Sequence, residues 1–254
     1  MQKRTIEYKM RARINLSGTL FHLIRALIFC NLAVSIIELP FSLTRDDVAF
    51  STSNIIYYVA VVLITTVAVV LRAGLIRLHL TLARTKEVHL SEVFYPIKHS
   101  PDRYIITELI LLGIDLLCAI PALLGAGLVY FHESTLGYVV ASVASVISIV
   151  LITFVSITYE LVYFVMNDNE GLSPIAALKQ TRQMMKGHKL YYLDLQYSFL
   201  GWHLLSTLTL GIAGLYVEPY LTQTITLFYL DIIGEKERIQ NEQENRQTTI
   251  DYYC

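Results

Sequence analysis

The chain alternates between long apolar runs and short polar connections. Apolar residues dominate two runs at 20–40 and 55–71, and two more at 104–131 and 138–166. The stretch 191–229 contains two further runs, joined by the Gly-containing turn LGIAGLYVEPY. A transmembrane α-helix needs about 20 mainly apolar residues. We therefore predict an all-α, polytopic membrane protein with six transmembrane helices.

The positions of lysine and arginine predict the orientation. Of the 20 Lys and Arg residues, all except Arg25 and Arg45 fall on one side of the six-span arrangement. Because these residues concentrate in cytoplasmic segments, both termini are expected in the cytoplasm. The first run is long and lacks a small-residue cleavage pattern, which favours an uncleaved helix over a signal peptide. We predict a single integral membrane domain, 1–254, with a basic cytoplasmic N-terminus at 1–17, a bundle at 18–234 and a polar cytoplasmic tail at 235–254.

Two of the cytoplasmic connections have the pattern of amphipathic helices. In the segment 173–186, Ser173 is a candidate cap and Pro174 suits the first helical position. Small and apolar residues share one face, and a basic face carries Lys179, Arg182 and Lys186, with Lys189 following. Such a helix can lie on the membrane and bind anionic headgroups; alternatively, its apolar face packs on the ends of the spans. A shorter version begins at Ser91.

Two segments of the chain resemble each other and suggest a duplication. LLGIDLL at 111–117 is similar to FLGWHLL at 199–205, and a Gly-containing exit follows each. The repeated unit would be a surface helix with a hairpin of two spans. This register places Asp115 and His203 at equivalent depths.

Composition limits the classes of function. The chain is 54% hydrophobic and 16% charged, with a mean hydropathy of +0.51. This composition is typical of a membrane protein and not of a soluble one. A net charge of −1 lacks the positive field that nucleic acid binding requires. The three cysteines form no disulfide framework or metal-binding pattern. Because no hydrolase, metalloprotease or nucleotide-binding motif occurs, we predict no catalytic residue, no metal and no cofactor.

Ionisable residues inside apolar runs are the candidates for a site, because charge within a bilayer is costly. Asp115 and His203 fall near mid-depth, with Arg25 inside the first run and Arg72 just past the second. Asp115 and His203 could form a carboxylate–imidazole pair that relays a proton or holds a polar group. Alternatively, neighbouring polar side chains satisfy each of them, and they only fix the helix register.

Small residues indicate where helices approach closely. Gly137, Ala141 and Ser145 recur at every fourth position of the fourth span, a pattern that permits close packing. Packing within the chain is favoured over a dimer interface. Gly201 and Trp202 mark a second packing position, where the indole N–H needs a partner.

The C-terminal part of the chain carries a series of short motifs. They are Met185 to Gly187, Ser198 to Trp202, Leu208 to Ile212, Pro219 with Tyr220, and Phe228 with Tyr229. In these motifs the chain resembles a bacterial integral membrane family known as domain of unknown function 975. The resemblance implies a six-span protein of a bacterial plasma membrane and supplies no activity and no catalytic residue.

These observations support two hypotheses of different classes. The first is a non-enzymatic plasma-membrane protein that acts in membrane or envelope homeostasis or protection. Its partners would be the lipid bilayer, including anionic lipids, and a membrane protein partner or a second copy of the chain, with no nucleic acid. The second is a small transporter or channel whose polar path passes Asp115 and His203. An intramembrane enzyme built on those two residues is a third possibility.

Overall fold

The computed structural model describes residues 2–44, 51–131 and 134–253. In this part of the chain helices joined by short connections are the only regular elements, and there is no strand. The predicted all-α class is therefore confirmed. The first five helices are α1 (Gln2–Leu16), α2 (Leu20–Ser42), α3 (Thr52–Thr85), α4 (Tyr95–Lys98) and α5 (Pro101–Phe131), and a 3₁₀ turn at Leu90–Phe94 leads into α4. The remaining six are α6 (Thr135–Tyr159), α7 (Val162–Asp168), α8 (Pro174–Met184), α9 (Lys189–Tyr197), α10 (Leu200–Leu208) and α11 (Gly214–Tyr253).

Four helical stretches in the described ranges are long and apolar enough to cross a membrane. They are Leu20–Ser42, Thr52–Thr85, Pro101–Tyr130 and Thr135–Asp168, where the last joins α6 to α7. The predicted fifth and sixth crossings are not among them. The fifth is divided into α9 and α10, of nine residues each, and the sixth falls in α11, where polar residues such as Gln223 and Thr224 interrupt the apolar run. Six crossings remain a prediction.

The proposed duplication is not confirmed either. The segment 111–117 lies in the middle of α5, a helix of 31 residues. Its counterpart 199–205 lies at the start of the short helix α10. The two similar sequences thus belong to helices of different length and surroundings.

Side-chain burial divides the molecule into two parts. Buried apolar residues gather in α1, the second half of α3, α7, α8, α9 and α11. We call this part the helical body. By contrast, only 6% of the residues in the most apolar stretch of Pro101–Tyr130, and 6% of those in Thr135–Asp168, are buried. α5 and α6 therefore expose most of their apolar surface. Lipid is the solvent in which such a surface is stable.

The basic N-terminal segment is a helix packed into the helical body. In α1, Thr5 donates to Asp194 at 2.7 Å and Tyr8 donates to Asp231 at 2.8 Å. Lys9 donates to the carbonyl of Ser198 at 2.7 Å. Its ammonium also lies 4.2 Å from the ring centroid of Phe199. α1 therefore connects the first residues of the chain to α9 and α11.

Close approach of α5 and α6 depends on small residues. Gly125 of α5 lies against Ala141 of α6, and a Cβ added at Gly125 would fall 2.8 Å from the Cα of Ala141. Ser145 donates to the carbonyl of Ala141 at 2.8 Å, and the N–H of Gly137 donates to the Ser134 cap. Ser148 of α6 accepts from the N–H of Ala122, the residue that follows Pro121 inside α5.

Candidate functional site

A cavity of about 710 Å³ lies between α2, α3 and α11 and reaches α5, α7 and α9. Its walls are mostly apolar, with residues such as Leu27, Val69 and Ile225. Polar and charged side chains interrupt this lining: Asn31, Ser35, Thr65, Arg72, His79, Glu108, Glu160, Gln196, Glu218 and Thr222. An apolar pocket with a few convergent polar groups is the usual form of a ligand site.

Arg72 and two glutamates form the charged part of this cavity. Arg72 Nη2 lies 3.6 Å from Glu160 Oε1, and the arginine side chain is 61% exposed in the protein alone. Glu108 accepts a hydrogen bond from Tyr163. Three helices supply these charges, since Arg72 belongs to α3, Glu108 to α5, and Glu160 follows directly after α6. With Glu218 also in the lining, carboxylates outnumber cations, so the arrangement favours a positively charged group.

His79 is another polar residue in the lining of this cavity. It is buried in α3, and its Nδ1 lies 2.8 Å from Oε1 of Gln223 in α11. Because an amide oxygen can only accept, Nδ1 carries a proton in this hydrogen bond. Gln223 is itself fully buried, and its Nε2 has no hydrogen-bond partner within the described chain. The pair therefore fixes the register of α3 against α11 at some energetic cost.

A second cavity, of about 270 Å³, is lined by cations. Arg182, Lys186 and Lys189 meet there with Thr158 and Tyr159, and Ile114, Phe154 and Val155 form its apolar wall. Lys189 donates to the Thr158 hydroxyl at 2.7 Å, and its ammonium lies 3.7 Å from the ring centroid of Phe154. None of the lining residues is a carboxylate. The cavity therefore favours an anion.

The apolar face of α8 accounts for the position of these cations. Ala177, Leu178, Thr181, Met184 and Met185 are buried against α5, α6 and α7. Protein rather than lipid covers this face, as in the packing alternative. The basic face remains exposed through Lys179, Arg182 and Lys186. The Ser173 hydroxyl accepts from the N–H of Ala176, so the predicted cap is present.

A network of ion pairs holds the segment 167–170 against α3 and α5. Arg77 lies 2.7 Å from Glu92 and 3.1 Å from Glu170, and Arg84 lies 2.8 Å from Asp168. Tyr95 donates to Glu170 at 2.8 Å. This hydrogen bond, supported by Arg77, holds the pKa of Glu170 below its ordinary value of 4.5, and it raises the pKa of Tyr95. The network stabilises the helical body, and its basic residues are already neutralised.

Arg103 completes this network from the first turn of α5. It is buried and donates to the carbonyls of Met166, at 2.9 Å, and of Asn169 and Glu170. Asn167 donates to the carbonyl of Ala73 at 2.9 Å and accepts from Tyr104. Carbonyl and amide groups that would otherwise lack partners are thereby satisfied. In the sequence alone, Arg103 is only one of the basic residues that predict the orientation of the chain.

Asp115 and His203 lie on helices that make no substantial contact with each other. Asp115 belongs to α5, and its Oδ1 is buried without a partner among the described residues. His203 is exposed on α10, which packs mainly against α11. In the part of the chain that the structure describes, no hydrogen bond or ion pair joins Asp115 to His203, and neither residue lines the larger cavity. Their pairing remains a prediction.

The other predicted residues occupy varied positions. Arg25 is exposed on α2, whereas Arg72 belongs to the larger cavity. Gly201 has open space around it, and Trp202 packs on Tyr216 and Tyr220, with centroid separations of 5.9 and 6.4 Å. Sequence reasoning missed Gln196 and Glu218 as cavity residues, because no local pattern connects them to α3.

Comparison with known proteins identifies the family without adding an activity. No curated protein and no solved structure matches the chain. A family model described as "Protein of unknown function (DUF975)" matches residues 1–236. This match includes the N-terminal half as well as the C-terminal motifs. The chain therefore belongs to the DUF975 family.

Proposed function

We propose that this protein resides in a bacterial plasma membrane, with both termini in the cytoplasm, and binds anionic phospholipid without catalysing a reaction. Its role would be membrane or envelope homeostasis or protection. The four apolar helices supply the crossings that this proposal requires. An even number of crossings returns both ends of the chain to one side, where lysine and arginine concentrate.

The cationic cavity is the observation that supports this proposal. Arg182, Lys186 and Lys189 present three positive groups beside the Thr158 hydroxyl. A lipid phosphate diester carries one negative charge and oxygen acceptors that suit these donors. Phe154 is 59% exposed and forms the apolar wall with Ile114 and Val155, which suits the first part of an acyl chain. A headgroup at this level would lie between the basic face of α8 and the membrane-facing part of α6.

Lipid binding is tested with purified protein in nanodiscs that contain either phosphatidylcholine alone or added phosphatidylglycerol. A variant with Arg182→Gln, Lys186→Gln and Lys189→Gln should lose preference for phosphatidylglycerol by about tenfold or more, since each removed cation weakens phosphate binding. A control variant with Arg11→Gln, Arg13→Gln and Lys98→Gln has the same change in net charge. If both variants lose this preference equally, or if neither variant loses it, specific binding at the cavity is refuted.

The proposed lack of catalysis has a separate test. Lipid mass spectrometry should find phospholipids unchanged after incubation with the protein. A time-dependent product that disappears in Asp115→Asn or His203→Ala would contradict this part of the proposal. It would favour the intramembrane enzyme instead.

Transport is the second candidate, and the cavity of about 710 Å³ is the observation that favours it. Arg72, Glu108 and Glu160 provide a charged position that a solute could occupy. Proteoliposome flux that disappears in Glu160→Gln supports a path through this cavity. Flux that disappears only in Asp115→Asn and His203→Ala supports the path predicted from the sequence. No flux of cations, amines or protons in the unmodified protein excludes both.

A membrane protein partner or a second copy of the chain is also part of the proposal. The exposed apolar surfaces of α5 and α6 provide room for either contact beside lipid. Crosslinking in intact membranes, followed by mass spectrometry of the crosslinked bands, distinguishes a homo-oligomer from a hetero-complex. A band at the monomer position alone excludes a stable complex of either type.

A further inference from the structure

The hairpin formed by α10 and the start of α11 ends in an exposed apolar tip. Leu210 is 94% exposed, and Leu208 and Ile212 are each 73% exposed. From residue 195 to residue 217 the chain carries no Asp, Glu, Lys or Arg. Trp202 packs on Tyr216 and Tyr220 and holds the two arms together. Gly214 lies so close to Ser206 that an added Cβ would fall 2.8 Å from its Oγ.

The depth of this tip follows from the register of α11 against α3. His79 contacts Gln223, while Arg84 and Tyr229 both bond to Asp168. These pairings advance together along both helices, so α3 and α11 run in parallel. Gly214 precedes Gln223 by nine residues, or about 14 Å at 1.5 Å per residue. The matching position on α3 is Val70.

Val70 is close to the last residue of the apolar run 55–71. The hairpin therefore reaches only the end of that run nearest to Arg72. The run continues from Val70 to Ile55 for roughly 22 Å beyond this depth. A hairpin at this level enters the edge of the apolar layer and falls short of its far side.

The backbone of the turn gives an independent indication of its surroundings. Leu210 has a φ of 52° and Gly211 a φ of 89°. A positive φ is strained for leucine, and glycine or asparagine would adopt it more readily. In water, an exposed leucine at such a position has neither a conformational nor a packing advantage. Contact with acyl chains would supply the missing stabilisation, since the side chain would leave water.

We propose that the tip at 208–212 inserts into the acyl chains of the leaflet on the Arg72 side and does not cross the membrane. The occupant of the exposed apolar face is lipid. The protein then crosses the bilayer four times, and the hairpin acts as a shallow wedge beside α3. This inference does not depend on anionic lipid binding, because it rests on α3, α10 and α11 and not on the cationic cavity.

Cysteine labelling tests the depth and side of the tip. In a chain with Cys30, Cys118 and Cys254 replaced by alanine, single cysteines are introduced as Leu210→Cys, Ser134→Cys and Thr85→Cys. Ser134 is the N-cap of α6 and Thr85 is the last residue of α3, so in the proposed four-span topology they mark opposite sides of the membrane. A membrane-impermeant maleimide should label Ser134→Cys from one side only and Thr85→Cys from the other. Leu210→Cys should be labelled at least tenfold more slowly than either reference, from both sides.

Fluorescence quenching provides the second measurement. Trp202 is the only tryptophan in the chain, so Trp202→Phe combined with Leu210→Trp reports on the tip alone. Lipids brominated near the headgroup end of the acyl chain should reduce its emission at least twofold, and lipids brominated deeper should reduce it less. Labelling of Leu210→Cys from the Ser134 side would mean a complete crossing and overturn the proposal. Rapid labelling from the Thr85 side, or crosslinking between two copies without quenching, would also overturn it.

Discussion

Gly74 provides a sharp test of the packing in the helical body. This glycine lies in α3, where the backbone of the 3₁₀ turn passes over it. A Cβ added at Gly74 would fall 2.7 Å from the carbonyl carbon of Val93, nearer still to its oxygen, and 2.9 Å from its Cα. Ordinary contact begins at 3.4 Å, so the turn would have to retreat by at least about 0.7 Å. Glu92, which pairs with Arg77, would move with it.

The expected cost of Gly74→Ala follows from two opposing effects. Overpacking against a well-packed neighbour destabilises by about 1–3 kcal/mol, and a clash with backbone belongs at the upper end. Alanine in place of glycine within a helix returns about 1 kcal/mol. The net loss of about 2 kcal/mol corresponds to a fall in Tm of roughly 4–8 °C for a chain of this size.

The measurement is thermal unfolding in detergent, followed by the fluorescence of Trp202. Gly113→Ala is the matched control, because Gly113 is also helical and an added Cβ meets nothing within 4 Å. The control should unfold at or above the temperature of the unmodified protein. Equal unfolding temperatures of the two variants would show that the backbone of Val93 does not pack closely against Gly74.

Two further predictions use other parts of the fold. Gly125→Ala should separate α5 from α6 and lower the Tm, whereas Gly127→Ala, with open space around it, should do neither. The rate of disulfide formation between cysteines placed at 122 and 148 reports the separation of the two helices. Equal rates in the two glycine variants would contradict the prediction. Glu170 has a lowered pKa, so its contribution to stability is complete above pH 4.5 and disappears as the pH falls through that lowered value. The Tm of Glu170→Gln should therefore lie below that of the unmodified protein at pH 7 and meet it at low pH; parallel curves down to pH 3 would refute the role of this carboxylate.

The apolar runs predicted the helices well where lipid-facing surface dominates. α2, α5 and α6 fall close to the runs at 20–40, 104–131 and 138–166. The second run was placed correctly, but its end at Leu71 was set by Arg72, and the helix continues to Thr85. Charge marks where a helix leaves the apolar layer, and it gives no reason for the helix to stop there. The extension past Leu71 is the part of α3 that enters the helical body.

The stretch 191–229 shows why length and hydropathy are insufficient. It has enough apolar residues for two crossings, yet its residues divide between burial and exposure by local packing. Tyr192, Leu195 and Phe199 are buried in the protein, while Leu204 and Leu208 are exposed. The mean hydropathy of the stretch does not distinguish the buried residues from the exposed ones. The break at 198–199 leaves two helices of nine residues, α9 and α10, so neither alone has the length of a transmembrane helix.

The candidate site was predictable only as single residues. Arg72 was identified because it directly follows an apolar run and charge within a bilayer is costly. Glu108 and Glu160 lie inside the runs 104–131 and 138–166, so the same reasoning applies to them. Their assembly with Glu218 depends on how α3, α5 and α11 pack, which no local spacing encodes. The predicted pairing of Asp115 with His203 assumed two equivalent hairpins. α5 and α10 differ in length and neighbours, so the similarity of their sequences is not by itself a reason for the two residues to meet.

The attachment of α1 to α9 and α11 has a consequence for biogenesis. Thr5 bonds to a residue 189 positions later, and Tyr8 to one 223 positions later. At a synthesis rate of 5–20 residues per second, roughly 10–45 s separate the appearance of Tyr8 from that of Asp231. In the proposed membrane topology, insertion of α2 and α3 can finish during this interval, whereas closure of α1 onto α11 waits until α11 has been synthesised. In that topology, a nascent molecule that stalls before α11 would carry inserted apolar helices without the closing contacts of α1, and it would be open to quality-control proteases.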